Sequence, residues 1–407
     1  MKLPQISKKI KSCRASGEKK LKVVGRFPKM SLTGVFPKTK REVIETPIEV
    51  VFAEKSKLLQ LRHNYNSKYL YGKTYGYRSG LNPLMIKHLK EKYQKIKKNL
   101  KIKKSDKILD IGSNDGTFLN FFNCDRSGID PSLEKLSKYY NKNIKKIPYT
   151  FETGYKKIKS NKYKLISAIA MFYDIEKPVS FLKKISNILD DNGIFHVEVA
   201  YLPKIIDEFS YDTFCQEHYE YYSIMSLNFI TKKAKMNIID FGFNNINGGS
   251  IWLNIGKKVA NVKQKLKLNQ LITKEREKKI HKEITYIKYF KKVFDHANKI
   301  NKIIKSYNQK NIDVYGYGAS TKGNVLLQTA KLSNTKIKAI FDVNKEKFNC
   351  YTPKTNIKIL DEKKLKKIKP AILLILIWHF KKFIIKKIKK QSPKTKLLIP
   401  FPKIKIS

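Results

Sequence analysis

The pair of residues best suited to acid–base chemistry is Glu217-His218, which lies in a stretch rich in phenol side chains, residues 211–222. Imidazole has the unperturbed pKa nearest to neutrality, so a histidine can take up and release a proton at physiological pH. An adjacent carboxylate can fix the tautomer of the ring and stabilise its charged form. A histidine packed against aromatic rings for structural reasons is the alternative. Of the seven histidines in the chain, His218 is the best candidate for a general base.

A second group of polar residues follows a short apolar run at residues 108–111. It begins with Asp110, continues as Gly112-Ser-Asn-Asp-Gly116, and is followed by apolar residues at helical spacing. The pattern predicts a strand, a tight turn and a helix. Glycine lets the backbone approach a ligand closely, and the start of a helix offers unpaired N–H groups. The glycine spacing differs from the G-x-G-x-x-G of dinucleotide-binding proteins, which points away from NAD.

Asp130 extends this candidate ligand site, because it follows the next apolar strand. A carboxylate at the tip of the second strand of such a sheet can accept two hydrogen bonds from a ribose diol. A structural turn with a solvated carboxylate is the alternative. Together with Asp110, Gly112, Asn114 and Gly116, Asp130 resembles the cofactor site of class I S-adenosylmethionine-dependent methyltransferases.

Charge alone would suggest a different ligand. The 407-residue chain, long enough for two or three domains, carries 87 Lys and Arg against 33 Asp and Glu, a net charge of +54. Such a charge is typical of proteins that bind nucleic acid or an anionic membrane. The excess is mostly lysine, however, and is spread from end to end without an Arg-rich arm or an aromatic-interleaved basic strip. We interpret it as solvated lysine faces with some bias toward phosphate-bearing ligands, and do not expect nucleic acid as a partner.

The cellular location is inferred from the cysteines and the apolar runs. The four cysteines are widely scattered and form no C-x-x-C pair, which is typical of a protein in a reducing cytoplasm. Residues 1–17 lack the apolar core of a signal peptide. The most apolar run, residues 371–380, is about half of the roughly 20 residues that a membrane span requires, so we expect a buried strand there.

The order of predicted elements divides the chain into four parts. Residues 1–75 form a small lobe, and residues 76–255 alternate helix and strand, as in a doubly wound parallel sheet of an α/β protein. Residues 256–310 are a helical connection, and residues 311–407 repeat the strand, glycine turn and helix arrangement. The apolar stripes predicted for two helices are Ile86, Leu89, Tyr93 and Ile96 in the first, and Ile284, Ile287, Phe290, Phe294, Ala297, Ile300 and Ile304 in the second.

Further segments could contact a polar substrate. Residues 70–82, dense in Gly and Tyr, are either a packed loop or a lid that brings phenols and Arg78 to a ligand. The turn at Asn247-Gly248 can present backbone N–H groups. Lys322 lies at a predicted helix start where a phosphate could bind. His379 follows a strand at whose carboxyl end ligands collect, and a packed histidine is the alternative.

Five motifs stand in the order seen in nucleotide-sugar C-methyltransferases, and the chain resembles that family over nearly its whole length. The motifs are Asp110 to Gly116, Ala170-Met-Phe-Tyr-Asp174, Glu217-His218-Tyr219, Asn247-Gly-Gly-Ser250 and Gly316-Tyr-Gly-Ala-Ser-Thr-Lys-Gly-Asn324. Five motifs in register are much more specific than any one of them.

This resemblance implies methyl transfer from S-adenosylmethionine to a carbon of a keto-deoxysugar carried on a nucleoside diphosphate. It implies a class I methyltransferase domain and a C-terminal Rossmann-like domain with the sugar nucleotide between them, in a monomer or homodimer. On the same basis His218 is the base, Glu217 its partner and Tyr77 a phenol at the mouth of the active site. Ala170 and Met171 are then expected at the cofactor, and Tyr77, Arg78, Ser79, Asn247, Gly248, Lys322, Asn324 and His379 at the substrate.

The chain departs from the family in its N-terminal lobe. The zinc-binding lobe that the resemblance implies uses two C-x-x-C pairs, but the corresponding segments are Cys13-Arg-Ala-Ser16 and Ala53-Glu-Lys-Ser56. One thiolate of four cannot form a structural tetrahedral site, so zinc is not expected. The lobe must then fold on its own small apolar core or be less ordered.

Three alternatives stay open at this point. O-methylation of a related small molecule would use the same cofactor site. A nucleic-acid methyltransferase is favoured by the net charge alone, and residues 169–174 lack the Asn/Asp-Pro-Pro-Tyr/Phe loop common in enzymes that methylate base amines. A non-catalytic family member is suggested by the missing cysteines, but it would have no need of Asp110, Asp130 and His218.

Overall fold

The computed structural model of the protein describes residues 5–40, 43–70 and 77–407. Two largely parallel sheets dominate it, and the predicted α/β fold class is confirmed. Of the predicted lid at residues 70–82, residues 71–76 lie outside the described residues. No helix in the described ranges is long and apolar enough to cross a membrane.

The N-terminal lobe consists of short antiparallel strands. In chain order its elements are β1 (Ser7–Lys9), β2 (Leu21–Arg26), β3 (Met30–Ser31), β4 (Glu45–Thr46), β5 (Glu49–Ala53), β6 (Leu58–Leu61), β7 (His63–Tyr65) and α1 (Ser67–Leu70). β2, β5 and β6 form one sheet, and a strand from the middle of the chain, Glu220–Tyr221, pairs with β6. The lobe therefore includes a strand two residues beyond His218, which the division at residue 75 did not anticipate.

The central sheet has the strand order β10-β9-β8-β11-β12-β15-β14. The strands of this region are β8 (Lys107–Ile111), β9 (Asp125–Ile129), β10 (Ile144–Ile147), β11 (Tyr163–Ile169), β12 (Leu189–Ala200), β13 (Glu220–Tyr221, in the lobe sheet), β14 (Asn237–Asn244) and β15 (Ser250–Gly256). Its helices are α2 (Pro83–Leu100), α3 (Leu133–Leu136), α4 (Phe151–Gly154), α5 (Pro178–Ile188), α6 (Leu202–Asp207) and α7 (Ile224–Lys233). The first five strands are parallel and β15 is antiparallel. Because the strand order reverses between β8 and β11, their carboxyl ends form a ligand-binding crevice.

The helix predicted after the glycine turn is not formed. Only a single 3-10 turn, Leu119–Phe121, follows Gly116. β9 begins at Asp125, which leaves too few residues for a helix, and Arg126 Nη1 donates to Phe122 O (2.6 Å) at the end of the turn. The expected helix N-terminus therefore makes no contribution to this site.

Helix α2 begins where the sequence predicts, because Asn82 Oδ1 accepts a hydrogen bond from Leu84 N and Pro83 occupies the first turn. Its buried side differs from the predicted one. The buried residues are Met85, Leu89, Lys92 and Ile96, whereas Ile86 and Tyr93 are only partly buried. The helix is rotated relative to the apolar stripe because Lys92 has a buried anionic partner, described below.

Two helices, α8 (Val262–Glu277) and α9 (Glu283–Gln309), connect the domains. The buried face of α9 is Tyr286, Tyr289, Phe290, Val293, Ala297, Ile300 and Ile304. Ile284 and Ile287 of the predicted stripe are exposed, since tyrosines take their place against the lobe. A side chain on Gly25 of β2 would come within 2.5 Å of the Phe290 ring, so glycine permits this close approach.

The C-terminal domain is a second doubly wound sheet with the order β18-β17-β16-β19-β20-β21. Its elements are β16 (Val314–Tyr317), α10 (Thr321–Thr329), β17 (Ala339–Asp342), β18 (Lys358–Asp361), α11 (Leu365–Ile368), β19 (Ile372–Ile375), α12 (Lys381–Gln391), β20 (Lys396–Ile399) and β21 (Lys405–Ile406). The strands β16 to β20 are parallel and β21 is antiparallel. Apolar residues of this domain share one core with the N-terminal lobe and with α9.

Candidate active site

A cavity of about 580 Å³ lies at the carboxyl ends of the central strands, where the strand order reverses. It has the size of a small-molecule binding site. Of the predicted site residues, those that line it are Tyr77, Ser79, Asp110, Gly112, Asn114, Asp130, Ala170, Met171 and Asn247. The structure thus brings together the predicted cofactor residues, except for Gly116, and part of the predicted substrate set, whereas the predicted catalytic residues His218 and Glu217 do not line the cavity.

The loop after β8 has the backbone that the glycine spacing predicts. Gly112, Asn114 and Gly116 all have positive φ angles, +71°, +50° and +74°. A Cβ on Gly112 would come within 2.8 Å of the Met171 side chain, and one on Gly116 would come within 2.8 Å of the Tyr140 ring. Gly112 therefore keeps the cavity open, whereas Gly116 allows the packing behind the loop.

Two carboxylates support this loop in different ways. Burial raises the pKa of Asp110 to about 7, although Ser167 Oγ donates to it at 2.6 Å. Asp130 Oδ2 accepts from Asn114 N (2.8 Å), and Asp130 Oδ1 accepts from Ser132 N and Oγ (2.7 and 2.6 Å). Asp130 is thus already a structural acceptor for the loop. Oδ1 already accepts two hydrogen bonds, whereas Oδ2 accepts one and keeps a free lone pair, so the residue can also receive a ribose hydroxyl.

The described end of the predicted lid is attached to the glycine loop. Ser79 N donates to Asn114 Oδ1 (2.9 Å), and Gly80 N donates to Asp115 Oδ2 (2.8 Å). Arg78 forms an ion pair with Asp115 (3.4 Å) and lies over the Tyr139 ring (4.1 Å). Since Arg78 has these protein partners, its first role in this structure is to hold residues 78–80 over the cavity.

His218 is held by a backbone carbonyl. Its Nδ1 lies 2.8 Å from Thr213 O, so the Nδ1–H tautomer donates to that oxygen and Nε2 keeps its lone pair. Burial lowers the pKa of His218 to about 4, so the ring is neutral at pH 7. The Tyr173 ring packs edge-on at 4.4 Å, and the next residue of the chain, Tyr219, lines the cavity.

The expected partnership between Glu217 and His218 is wrong. Glu217 Oε2 accepts from Thr33 Oγ1 of the N-terminal lobe (3.3 Å), and burial raises the pKa of this carboxyl. Glu217 contacts the N-terminal lobe and His218 contacts Thr213, so sequence adjacency did not bring the two groups together. The tautomer of His218 is instead fixed by Thr213 O.

The predicted substrate residues of the C-terminal domain lie outside the cavity lining. Lys322 Nζ donates to Asn247 O (2.9 Å), which joins the two α/β domains. Asn324 is buried and donates to Thr33 O (2.7 Å), so it holds the N-terminal lobe. His379 is partly buried, and its Nδ1 has no hydrogen-bond partner among the described residues. A Cβ on Gly248 would come within 3.5 Å of the Trp378 ring.

A smaller cavity of about 270 Å³ joins the two α/β domains on the other side of residues 77–81. Its walls include Tyr77, Arg78 and Lys135 from one domain and Asn344 and Lys345 from the other. Tyr77 lines both cavities, which places this phenol between the predicted cofactor site and the domain boundary.

Sequence analysis missed a buried charged network beside the large cavity. Glu198, which lines the cavity, accepts from His88 Nε2 (2.9 Å), Lys92 Nζ (2.6 Å) and Asn244 Nδ2 (2.8 Å). Burial opposes ionisation, but Lys92 and His88 more than offset it, and the pKa of Glu198 is lowered to about 2. Lys92 Nζ also donates to His196 Nε2 (3.0 Å). The i, i+4 spacing of His88 and Lys92 was a signal that could have revealed a polar face on α2.

The segments that resemble a zinc site do not fit the metal. Cys13 Sγ lies 3.3 Å from Ser56 Oγ and accepts from the backbone N–H groups of Ala15 and Ser16 (both 3.4 Å). Lys55 N donates to the carboxylate of Glu18 (3.0 Å), which joins the same two turns. In the described ranges, no three His, Cys, Asp or Glu side chains are arranged to hold a metal ion. Hydrogen bonds connect the turns that four thiolates would otherwise join.

Family comparisons agree with this geometry. A methyltransferase-domain model matches residues 85–242, and a model described as the C-methyltransferase C-terminal domain matches residues 245–402. The central sheet, its glycine loop and the first match define an S-adenosylmethionine-dependent methyltransferase. With both matches, the chain belongs to the C-methyltransferases that carry this C-terminal domain, and the resemblance found in the sequence is confirmed.

One curated relative is the C-methyltransferase NovU of Streptomyces niveus, with 24% identity over 340 residues that cover 82% of this chain and 81% of NovU. Two solved structures are similar to part of this chain. A chain of the complex between the Haloferax volcanii Trm112 methyltransferase activator and the putative methyltransferase has a TM-score of 0.36 at 12% identity, covering 43% of this chain and 95% of that one. The plantazolicin methyltransferase BpumL in complex with SAH has a TM-score of 0.35 at 14% identity, covering 42% of this chain and 82% of that one.

Proposed function

We propose that this C-methyltransferase acts on a keto-deoxysugar linked to a nucleoside diphosphate, at a carbon next to the ketone, with His218 as the base. The observation that carries the proposal is the state of His218, a neutral imidazole whose Nδ1–H is committed to Thr213 O and whose Nε2 keeps its lone pair. A carbon next to a ketone becomes a nucleophile only after loss of a proton, so such a base is what the chemistry requires.

The residues at the cavity fit the methyl donor. Gly112 and Asn114 shape a loop with room above it, and Oδ2 of Asp130 offers an acceptor site for a ribose hydroxyl. When bound, S-adenosylmethionine supplies an electrophilic methyl group that a substrate carbanion can take up. Ala170, with a φ of +56°, and Met171 form the wall opposite the glycine loop.

The proton and charge can then be followed on this chain's own groups. Nε2 of His218 takes the proton from the substrate carbon, and the electron pair of the C–H bond moves into an enolate. Lys322, whose positive charge adds to burial in lowering the pKa of His218, is the cation proposed to stabilise a developing enolate oxygen. Tyr77, at the opening between the two cavities, can donate to a sugar hydroxyl or the same oxygen.

A deuterium-exchange experiment separates the base from methyl transfer. We would incubate the enzyme and S-adenosylhomocysteine with a panel of nucleoside-diphosphate keto-deoxysugars in D₂O, and follow exchange of the proton next to the ketone by NMR. The wild type should exchange it, and His218→Ala should slow exchange by roughly 10²- to 10⁴-fold while S-adenosylhomocysteine affinity stays within twofold.

His281→Ala is the matched control, because His281 lies in the connection between α8 and α9 and should leave exchange unchanged. Exchange at the wild-type rate in His218→Ala would remove His218 from the mechanism. Methyl transfer without any exchange would favour O-methylation instead.

A further inference from the structure

The three-residue turn Tyr211–Thr213 lies just before Glu217-His218. Each of its three residues forms a hydrogen bond with a different partner. Tyr211 Oη donates to His296 Nδ1 (3.1 Å), Asp212 Oδ2 accepts from Trp378 Nε1 (2.7 Å), and Thr213 O accepts from His218 Nδ1 (2.8 Å). All three residues of the turn are almost completely buried. A turn with so many fixed contacts has little freedom to move independently of its partners.

The partners of the first two residues belong to the C-terminal side of the chain. His296 lies on α9, and its Nε2–H donates to Pro400 O (2.9 Å), which leaves Nδ1 to accept from Tyr211. Trp378 follows β19, directly before His379. Phe401 packs against both ends of this arrangement, with ring centroids 5.0 Å from Tyr211 and 5.2 Å from Trp378.

The same tryptophan also contacts the methyltransferase domain at a second point. Its ring lies against the turn at Asn247-Gly248, where a Cβ on Gly248 would be 3.5 Å away. Lys322 of α10 donates to Asn247 O in that turn, and Asn247 lines the large cavity. The C-terminal domain therefore contacts two loops of the methyltransferase domain, the turn Tyr211–Thr213 and the turn at Asn247-Gly248.

Asp212 is a costly residue to bury for stability alone. Its Oδ1 has no hydrogen-bond partner among the described residues, and burial raises the pKa of the carboxyl. A buried acceptor without a partner destabilises a fold. Since a carboxylate is present at this cost, its bond to Trp378 points to a task other than packing.

We infer that the turn Tyr211–Thr213 is a positioning device through which the docked C-terminal domain holds His218 in its Nδ1–H tautomer. Tyr211, Asp212 and Trp378 are positioning residues in this scheme, and none of them touches the reacting atoms. The catalytic part rests on the proposed role of His218 as the base. The consequence is that His218 is correctly oriented only when the C-terminal domain is correctly docked.

Two variants each remove one hydrogen-bonding anchor: Tyr211→Phe deletes only a hydroxyl, whereas Trp378→Phe also removes part of a buried ring. The control is Trp252→Phe, which makes the same chemical change at the other tryptophan, on β15. Far-UV circular dichroism and S-adenosylhomocysteine affinity, expected within twofold of the wild type, show that each variant is folded.

The direct readout is ¹⁵N NMR of protein labelled at histidine, with His218 assigned from the spectrum of His218→Gln. In the wild type the His218 Nδ1 should be protonated and Nε2 unprotonated. In Trp378→Phe and Tyr211→Phe the two tautomers should interchange, and kcat should fall at least tenfold with KM within about twofold. Trp252→Phe should match the wild type in both measurements.

An unchanged His218 tautomer in both anchor variants would overturn the inference, even if their activity fell. The NMR measurement requires no substrate, so it is independent of the proposed function. If wild-type enzyme failed to exchange the proton next to a ketone, the role of His218 as a base would be lost, while the tautomer result would still decide whether the turn positions the ring.

Discussion

At the scale of single residues, the hydrogen-bond partner of His218 decides the state in which this proposed base is held. A carboxylate at Nδ1 would stabilise the imidazolium and raise its pKa, whereas the neutral carbonyl of Thr213 fixes the tautomer with a smaller effect on the charge. Burial and the positive charge of Lys322 then lower the pKa to about 4. The free protein therefore holds an unprotonated, oriented imidazole at neutral pH.

The pH dependence of the reaction follows from that state. With His218 as the proposed base, the active form is the neutral ring, so activity should be present above the pKa of His218 and be lost as pH falls through it. Because this pKa is lowered from 6.5 to about 4, kcat/KM should stay nearly level well below pH 6.5 and fall only as pH approaches 4. We would measure kcat/KM against pH at saturating S-adenosylmethionine, in the range where circular dichroism shows the protein folded.

Lys322→Met tests how much the positive charge of Lys322 contributes to the lowered pKa of His218. Removing this positive charge should raise the pKa of His218 and move the acidic limb toward higher pH, whereas Lys331→Met, at the end of α10, should not. If the acidic limb of the wild-type kcat/KM profile fell at the ordinary histidine pKa of 6.5, His218 would either be exposed during turnover or not be the base.

Residues with a local signature were predictable, and residues defined by distant partners were not. Gly112, Asn114 and Asp130 reach the cavity as expected, because strand ends and positive-φ turns leave a pattern in the sequence. The contact of Thr213 with His218 left no such pattern. The spacing of His88 and Lys92 indicated a polar face but not that Lys92 is buried, because burial depends on how that face meets a neighbour. Glu217 shows the opposite error, in which sequence adjacency was mistaken for contact.

At the scale of elements, the network around Glu198 fixes helix α2 against the central sheet. Lys92 is the central cation, since it contacts both Glu198 on β12 and His196 on the same strand. Removing one partner of a buried ion pair leaves an uncompensated charge. Because Met85 and Leu89 of the same helix face line the cavity, this network also sets the position of one cavity wall.

Lys92→Met should therefore destabilise the protein by about 3–5 kcal/mol, as expected when one partner of a buried ion pair is removed. The change keeps most of the side-chain volume, so the loss would come from the unpaired Glu198 and from His196. Urea unfolding followed by circular dichroism measures the free energy of unfolding. Lys95→Met, on the exposed side of the same helix, should change it by less than about 0.5 kcal/mol. Equal stabilities of the two variants would show that Lys92 is dispensable for the fold.

The element order was predictable from hydrophobic patterning, whereas helix faces and short connections were less so. The alternation of strands and helices was sufficient to indicate two doubly wound sheets. The turn after Gly116 failed to become a helix because the next strand starts too soon, which periodicity in a short apolar window does not show. In α9, tyrosines took the buried places assigned to Ile284 and Ile287, because an amphipathic phenol is counted as neither apolar nor polar in a simple stripe.

At the scale of the whole molecule, the parts of the chain are interlocked. Strand β13, close to His218, completes a sheet of the N-terminal lobe, and that lobe shares its apolar core with α9 and the C-terminal domain. Hydrogen bonds from Gln328 and Asn324 to the lobe backbone add to the same contact. The division at residue 75, natural from the sequence, does not separate units with independent cores.

Such interlocking predicts one cooperative unfolding transition for the full chain. Differential scanning calorimetry should give a single peak whose calorimetric and van't Hoff enthalpies agree. S-adenosylhomocysteine at 100 times its Kd should stabilise the folded state by about 2.7 kcal/mol and move the entire peak upward by a few degrees. Domains that unfolded separately would instead give two peaks, of which the ligand would move only one.

Asp130→Ala tests whether the cofactor cavity is the origin of that shift. Loss of an acceptor for the ribose and for Asn114 N should weaken S-adenosylhomocysteine binding by roughly 10- to 100-fold, so the same ligand concentration should move the peak much less. Asp125→Ala, at the exposed start of the same strand, should respond like the wild type. A full shift in Asp130→Ala would place the ligand elsewhere. The unfolding peak should stay single in every variant, and the ligand should shift it in the wild type and in Asp125→Ala. That result would show that binding at one sheet edge stabilises the lobe, the methyltransferase domain and the C-terminal domain as one body.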